Sequence, residues 1–546
     1  MKRAQQRRGS RALVASIAGA LAVVLALLGC SPEPVAGWSP AAFSTVPGVE
    51  LVGVQGAGSN AGVGADSDAA QDLAAPQATD SLTESQQREL GLHTGRLRND
   101  EAGVAARFVY VPGVPAFNER VNQDIRAAIA TTGKAYAPRV YAPETGRTER
   151  GCVPGSSTWP AADVLSRVET GPAGGAGAAV VCDVFGAYGK LIEVRLRTVT
   201  GDATAVTSDQ VSVMFVDVTG GQLLQIADQW SDSAPVELWR STIELLRREA
   251  GSMSTAPILD PNETQVALAS AALHAATTDA EGVLEVTLPS GIASPELEGL
   301  GIEATAGPIE LRVDAVTVAT WASEKYRQLH AELGKPFVGV TAQVNSVPID
   351  CTLIPCVAVT YDDGPGEFTP KLLQTLSDEG ARVTFFLMGS RANAHPDLVK
   401  QAQVAGHELA SHTMTHPDLT TLSVPDAKAQ VLNAAAAISA ITGVPVTMFR
   451  PPYGEVNDKI IAAVGLPSIH WSIDTNDWRK PGQQALIDRS VPVAKPGDII
   501  LFHDTHSDTV EVAGTVVRGL RDRGLELVTV TQLFGGYVPG GRVRSR

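Results

Sequence analysis

Apolar and polar positions alternate along this chain in two different ways. From about residue 85 to 345, short β-like runs, Val104 to Val111, Leu191 to Val199 and Val211 to Val218, are separated by stretches of helical period such as Ala116 to Ala130 and Val236 to Arg248. That pattern predicts an α+β domain. From Cys356 onward, apolar runs at Val357 to Tyr361, Val383 to Leu387, Glu408 to Ser411, Val446 to Phe449, Ser468 to Ser472, Ile499 to Phe502 and Leu525 to Val530 read as strands with helices between them. The clearest of these helices starts at Ser423, which can cap with Asp426 three residues on, and stops at Gly443. Val431, Ala435, Ile438 and Thr442 give it one mostly apolar stripe. Regular strand–helix alternation predicts an α/β fold with a parallel sheet, and the number of repeats favours a distorted, closed or nearly closed β/α barrel over about 350–537, with a short tail at 538–546.

Ahead of residue 85 the pattern fails twice. Residues 1–29 have a basic start, an apolar stretch from Ala12 to Leu28 and then Leu27-Leu28-Gly29-Cys30, which resembles the lipobox of bacterial lipoproteins. Processing there would leave Cys30 as a lipidated N-terminus; an ordinary signal peptide or an uncleaved membrane anchor are the plainer alternatives. From residue 30 to about 84 the sequence is Ala, Gly, Ser and Pro with few large apolar residues, a composition that cannot bury a core and is expected to act as a tether.

A length of 546 residues requires more than one core, and 44% hydrophobic residues can supply them. The net charge of -16 becomes more negative still once Lys2, Arg3, Arg7, Arg8 and Arg11 leave with the leader. That balance argues against nucleic acid as a partner. Apart from Cys30, four cysteines remain, Cys152, Cys182, Cys351 and Cys356, an even number in an exported chain, so disulfides are expected. Three pairings are possible; local ones, Cys152 with Cys182 and Cys351 with Cys356, keep each bridge within one domain. A four-cysteine zinc site is the rival, but the spacings match no common zinc ribbon.

Five polar clusters fall just past the C-terminal ends of the predicted strands, where β/α barrels assemble their sites: Asp362-Asp363, His412 to His416, Arg450-Pro451-Pro452-Tyr453, Asp474 to Trp478, and His503-Asp504. Adjacent aspartates at a strand end point different ways, so one can bind a cation while the other accepts a proton. His412 and His416, spaced i and i+4, can meet across a single helical turn, which Pro417 ends. Asp363, His412 and His416 form a three-ligand set that leaves positions for water and substrate, the layout of a catalytic divalent metal. Zinc is expected from the donor types, with cobalt, nickel and iron as alternatives.

In order and spacing the five clusters resemble the motifs of the polysaccharide deacetylases of carbohydrate esterase family four. Tyr361 stands where phenylalanine is usual and Pro452 where alanine is common; neither change removes a functional group. The resemblance implies Asp362 as general base and His503 as general acid, with Arg450 holding Asp362 and Asp474 in turn holding Arg450. It implies that the Tyr453 amide stabilises an oxyanion and that Tyr453, Trp478 and Leu501 line the pocket for an acetyl group. Asp477 is placed to support the His503 imidazolium. The segment from Gly221 to Asp228, with the helix after it and Gly282 to Pro289, resembles an extracellular domain found beside deacetylases and in some anti-sigma factors, which implies glycan or protein binding, or a spacer.

The expected function is therefore metal-dependent removal of N-acetyl groups from a cell-wall glycan, N-acetylglucosamine of peptidoglycan above all, at the outer face of the membrane. The competing readings are a chitooligosaccharide or other polysaccharide deacetylase, an O-acetyl esterase using the same groups, and a wall-binding lipoprotein whose barrel does no chemistry. The oligomeric state is open.

Overall fold

The computed structural model describes residues 46–54, 81–141, 149–225, 229–278, 283–332, 335–342 and 347–546. Cys30, the leader, most of the tether, and residues 226–228 and 282 lie outside the described residues. Among those described, no helix is long and apolar enough to cross a membrane.

Contacts divide the chain into two units, and the stretch read as one domain over 85–345 is shared between them. The smaller unit takes residues 232–321 and the strand Val49–Val54. Its antiparallel sheet runs Val49–Val54, Ile309–Val313, Leu284–Leu288, Thr277–Thr278, with the helices Ala234–Glu249 and Glu263–Ala275 packed on it. The strands Leu284–Leu288 and Ile309–Val313 bury every second residue, as a sheet covered on one face should.

The larger unit joins a six-stranded sheet to the barrel. The sheet orders as His93–Asn99, Val104–Tyr110, Ala176–Tyr188, Leu191–Asp202, Val206–Asp217, Gln222–Gln225. Helix Pro115–Thr131 lies over it and sinks Phe117, Val121 and Ile125 into the core. That core does not end at the sheet: one apolar cluster runs from Val104, Phe108 and Val121 into Leu353, Ile354, Ala358, Phe386, Ala410 and Ile499 of the barrel. Periodicity marks strands and helices but not which apolar faces meet, so this division is not legible in the apolar pattern. Polar ties follow the same seam: Arg150 pairs with the buried Glu526, the Tyr136 hydroxyl donates to the Leu353 carbonyl, and Tyr141 N–H donates to Arg523 O at 3.1 Å. Disulfides join Cys152 to Cys182 and Cys351 to Cys356.

The barrel strands are parallel. Cys356–Asp362 lies between Thr384–Leu387 and Ile499–His503, Glu408–Ser411 follows Thr384–Leu387, and Ile473–Asp474 pairs with Ile499–His503. Closure is made by single bridges, Ser411 to Phe449 and Phe449 to Ser468. The run Val446 to Phe449 therefore supplies one bridging residue in place of the expected strand, and the Ser468 to Ser472 run keeps only Ser468–Ile469 as strand, the next one, Ile473–Asp474, starting beyond it. Ser468–Ile469 pairs with Arg542–Val543, so part of the expected tail belongs to the fold. Pleating sorts the first strand: Ala358 joins the core inside the ring, while Val357, Val359 and Tyr361 pack outward on helices carrying Leu372, Leu376, Val516 and Leu520. Burial on both sides is why these strands read as unbroken apolar runs. Helix Val424–Thr442 begins at the Ser423 cap, whose hydroxyl accepts from Asp426 N–H, and ends at Gly443 with φ 74°.

Candidate active site and metal centre

The first barrel strand delivers both aspartates. Asp362 is its last residue and sits in register beside His503 of the neighbouring strand and Phe386 on the other side. At Asp363 the backbone turns left-handed, φ 73°, so its carboxylate leaves in a different direction from that of Asp362.

Asp363 Oδ1 lies 3.4 Å from His412 Nε2 and 3.2 Å from His416 Nε2. The histidines do not meet across a helical turn. They sit on an irregular loop with Thr413 at φ 66° and His416 at φ 63°, and their rings are edge to face at 5.0 Å. A helix would have needed every residue from His412 to His416 right-handed; left-handed turns at two of them bring the rings to the same point instead.

The donor set fits a cation. Asp363 Oδ1 is buried yet has no partner with hydrogen-bond geometry, a costly state unless something else takes its charge. His412 Nδ1 lies 2.8 Å from the Arg450 carbonyl, which can only accept, so Nδ1 carries a hydrogen and Nε2 is the ring atom turned toward Asp363. Burial pushes the Asp363 carboxyl up, but His412, His503 and His416 outweigh it and hold the group well below the usual carboxylate range. Among the described residues these three side chains are a group able to converge on one ion.

Arg450 is fully buried and spends its donors within hydrogen-bond reach: Nη1 on Asp362 Oδ1 and on the Thr360 hydroxyl, each at 2.7 Å, Nε on Ile469 O at 3.1 Å and Nη2 on His470 O at 3.0 Å. The expected Asp474 to Arg450 contact is not made. Asp474 instead accepts from Asn476 N–H at 2.8 Å and lines the cleft, while the guanidinium turns to two backbone carbonyls and a threonine besides Asp362. Phe386 lies under the guanidinium at 4.0 Å. Asp362 is thereby fixed at Oδ1, with Oδ2 3.9 Å from His412 Nε2.

On the other side, His503 Nδ1 bonds Asp477 Oδ1 at 2.7 Å, while Asp477 Oδ2 accepts from His503 N–H at 2.7 Å and the Thr509 hydroxyl at 2.8 Å. Burial pulls the imidazole down, but the bonded Asp477 carboxylate, with Asp362 and Asp363 nearby, raises it to about 9. His503 is thus a cation at neutral pH with Nε2–H left for the cleft.

These groups line a cleft of about 370 Å³ together with Pro451, Tyr453, Trp471, Asp474, Trp478, Leu501 and His506. Tyr453 is 67% and Trp478 51% exposed, an aromatic rim around a charged floor. Tyr453 has φ 60° and lays its ring edge to face on His416 at 4.8 Å. Among the described residues, the non-glycine positions with positive φ are Asp363, Thr413, His416, Tyr453, Asn476 and Lys480, all in loops around this cleft. Strained backbone gathered at one place is the mark of a functional site. Trp471, inside the Ser468 to Ser472 run, had no role in the sequence reading, and His506, three residues after His503 and so able to line the cleft, was assigned none; both face the cleft.

Residues 350–466 match the family model described as polysaccharide deacetylase. The chain is 37% identical over 187 residues to the peptidoglycan-N-acetylglucosamine deacetylase PgdA of Listeria monocytogenes, covering 34% of this chain and 40% of that protein. It is 36% identical over 207 residues to a chitooligosaccharide deacetylase of Sinorhizobium fredii, covering 35% of this chain and 96% of that one. The solved structure of the peptidoglycan deacetylase PdaC from Bacillus subtilis is 33% identical, covers 34% of this chain and 93% of its own, and superposes with a TM-score of 0.33. The chain therefore spans less than half the length of the Listeria protein.

Proposed function

The chain belongs to the polysaccharide deacetylase family, and from that premise we propose that it hydrolyses N-acetyl groups of a cell-wall glycan, N-acetylglucosamine of peptidoglycan being the favoured substrate, with release of acetate. The observation that carries the reading is the separation of charge across the cleft: a carboxylate fixed by Arg450 on one side, an imidazolium fixed by Asp477 on the other, and an unsatisfied Asp363 oxygen with two imidazole nitrogens between them.

Asp363, His412 and His416 would hold a divalent cation, zinc by donor type, with cobalt, nickel or iron as the other candidates. Such an ion supplies Lewis acidity, which makes water a stronger acid and polarises a carbonyl. Asp362 takes a proton from the attacking water as the water oxygen bonds to the acetyl carbon. The displaced electron pair moves onto the carbonyl oxygen, which the Tyr453 amide N–H would stabilise. His503 then gives its Nε2 proton to the sugar nitrogen as the C–N bond breaks, because an amine leaves poorly without one. Tyr453, Trp478 and Leu501 offer apolar surface to the acetyl methyl and the sugar ring.

The wall as substrate is supported by the Listeria relative and by the leader and Leu27 to Cys30 run, which favour a lipid-anchored protein facing the wall. The test is acetate release from chitooligosaccharide and from purified peptidoglycan, before and after chelation and zinc return. Asp362→Asn should lower turnover by about 10²- to 10⁴-fold with the cation still bound. Turnover that survives both chelation and this substitution would end the proposal.

A further inference from the structure

The loop carrying Asp363 and the loop carrying His412 and His416 are both bonded to the first turn of one short helix, Gly389–Ala394, with Met388 as its N-cap. Met388 N–H donates to Gly364 O at 3.1 Å, Gly389 N–H to Thr413 O at 3.0 Å and Ser390 N–H to Met414 O at 3.1 Å. The turn is pressed close to its neighbours: a Cβ on Gly389 would stand 2.5 Å from the Met414 sulfur and 2.8 Å from Ala434 Cα. From the third position of that helix, the half-buried Arg391 guanidinium donates from Nη1 to the Asp363 carbonyl at 2.9 Å.

That carbonyl belongs to a non-glycine residue in the left-handed region, a conformation that persists only where the surroundings hold it. The rest of the loop is held by its own partners. Gly366 N–H donates to the Thr369 hydroxyl at 2.7 Å, and that hydroxyl donates to the buried Asp504 carboxylate at 2.5 Å. Asp504 leaves no space beside Gly364, where a Cβ would meet Asp504 Oδ2 at 2.2 Å. The guanidinium lies near Asp504 as well and offsets part of its charge.

We propose that Arg391 is a positioning residue for the cation site: by fixing the Asp363 carbonyl it sets the left-handed backbone there and so aims the carboxylate between His412 and His416. The proposal rests on the cation reading above. It differs from the roles of Arg450 and Asp477, which orient the base and the acid, because Arg391 touches neither and acts on the ligand's main chain.

The test uses the full chain with Arg391→Gln and Arg391→Lys, stripped of metal and titrated with Zn²⁺ by calorimetry, alongside the visible spectrum of the Co²⁺ form and the thermal midpoint of the stripped protein. Arg391→Gln should weaken Zn²⁺ binding by about 10- to 100-fold, the usual effect of removing a group that orients a ligand, and alter the Co²⁺ bands. The stripped protein's midpoint should stay near that of the wild type. Arg391→Lys, which keeps a cationic donor, should recover most of the affinity. Unchanged Zn²⁺ binding in a folded Arg391→Gln protein overturns the proposal. So does an equal loss in both variants accompanied by a lower midpoint when stripped, since that reports general damage. A wild-type chain that takes up no Zn²⁺ would overturn this inference and the cation reading together. A wild type that binds Zn²⁺ but releases no acetate would defeat the deacetylase reading alone, and the titrations would still decide Arg391.

Discussion

At the scale of single residues, the chemistry turns on how neighbours bias two side chains in opposite directions. Arg450 stands against Asp362 and Asp477 against His503, so a carboxylate and an imidazolium coexist a strand apart. With the His503 pKa raised to about 9, the proton needed for the leaving group is present through neutral pH and is lost as pH rises through that value. Asp477→Asn removes the partner that raises it, so the alkaline limb of kcat/KM should move to lower pH while the acid limb stays put; an unmoved alkaline limb would sever His503 from the rate. The same shift feeds stability with a defined sign. A histidine raised on folding contributes fully below its unfolded value of about 6.5, and the contribution disappears as pH climbs through about 9. Nearly all of these residues could be picked out of the sequence, because each sits beside a strand end in a short polar cluster. Their partners could not: Arg450 meets the carbonyls of Ile469 and His470, invisible as side chains, where Asp474 was expected.

At the scale of elements, the site is a product of strand ends and of turns that cannot relax. Gly389 is one tight case, since a side chain there runs into Met414 and Ala434. Gly389→Ala should cost about 1–3 kcal/mol in denaturant unfolding, the range for overpacking a filled interior, and a neutral result would mean that the turn has more room than its contacts indicate. Ser423→Ala, by contrast, removes only a cap from helix Val424–Thr442 and should cost about 0.5–2 kcal/mol without touching turnover. Periodicity found that helix and its caps because they are local. It overstated Val446 to Phe449 as a strand because a single bridging residue and a paired strand look alike in a run of apolar side chains.

At the scale of the molecule, the six-stranded sheet and the barrel are one body, held by a continuous core and by the buried Glu526, on which Arg150, His93 and Arg521 converge. Burial alone would raise the Glu526 carboxyl, but Arg150 and His93 override it and keep it ionised. Arg150→Ala leaves that charge to Arg521 and His93 at 3.6 and 3.7 Å and should lower stability by about 1.5–3 kcal/mol. Sheet and barrel probes should then shift together in one transition; separate transitions would show that the seam is weaker than its burial suggests. The shared core also sets an order of events for a chain made and moved N-terminus first. Val216 emerges long before Val543, its fellow member of the same cluster. At about 5–20 residues per second the gap is on the order of 15–60 s, during which the sheet's apolar surface is only partly covered. A protein built this way needs an escort that keeps the nascent chain from sticking to its neighbours, and its yield in a foreign host should depend more on that escort than on the strength of the finished fold.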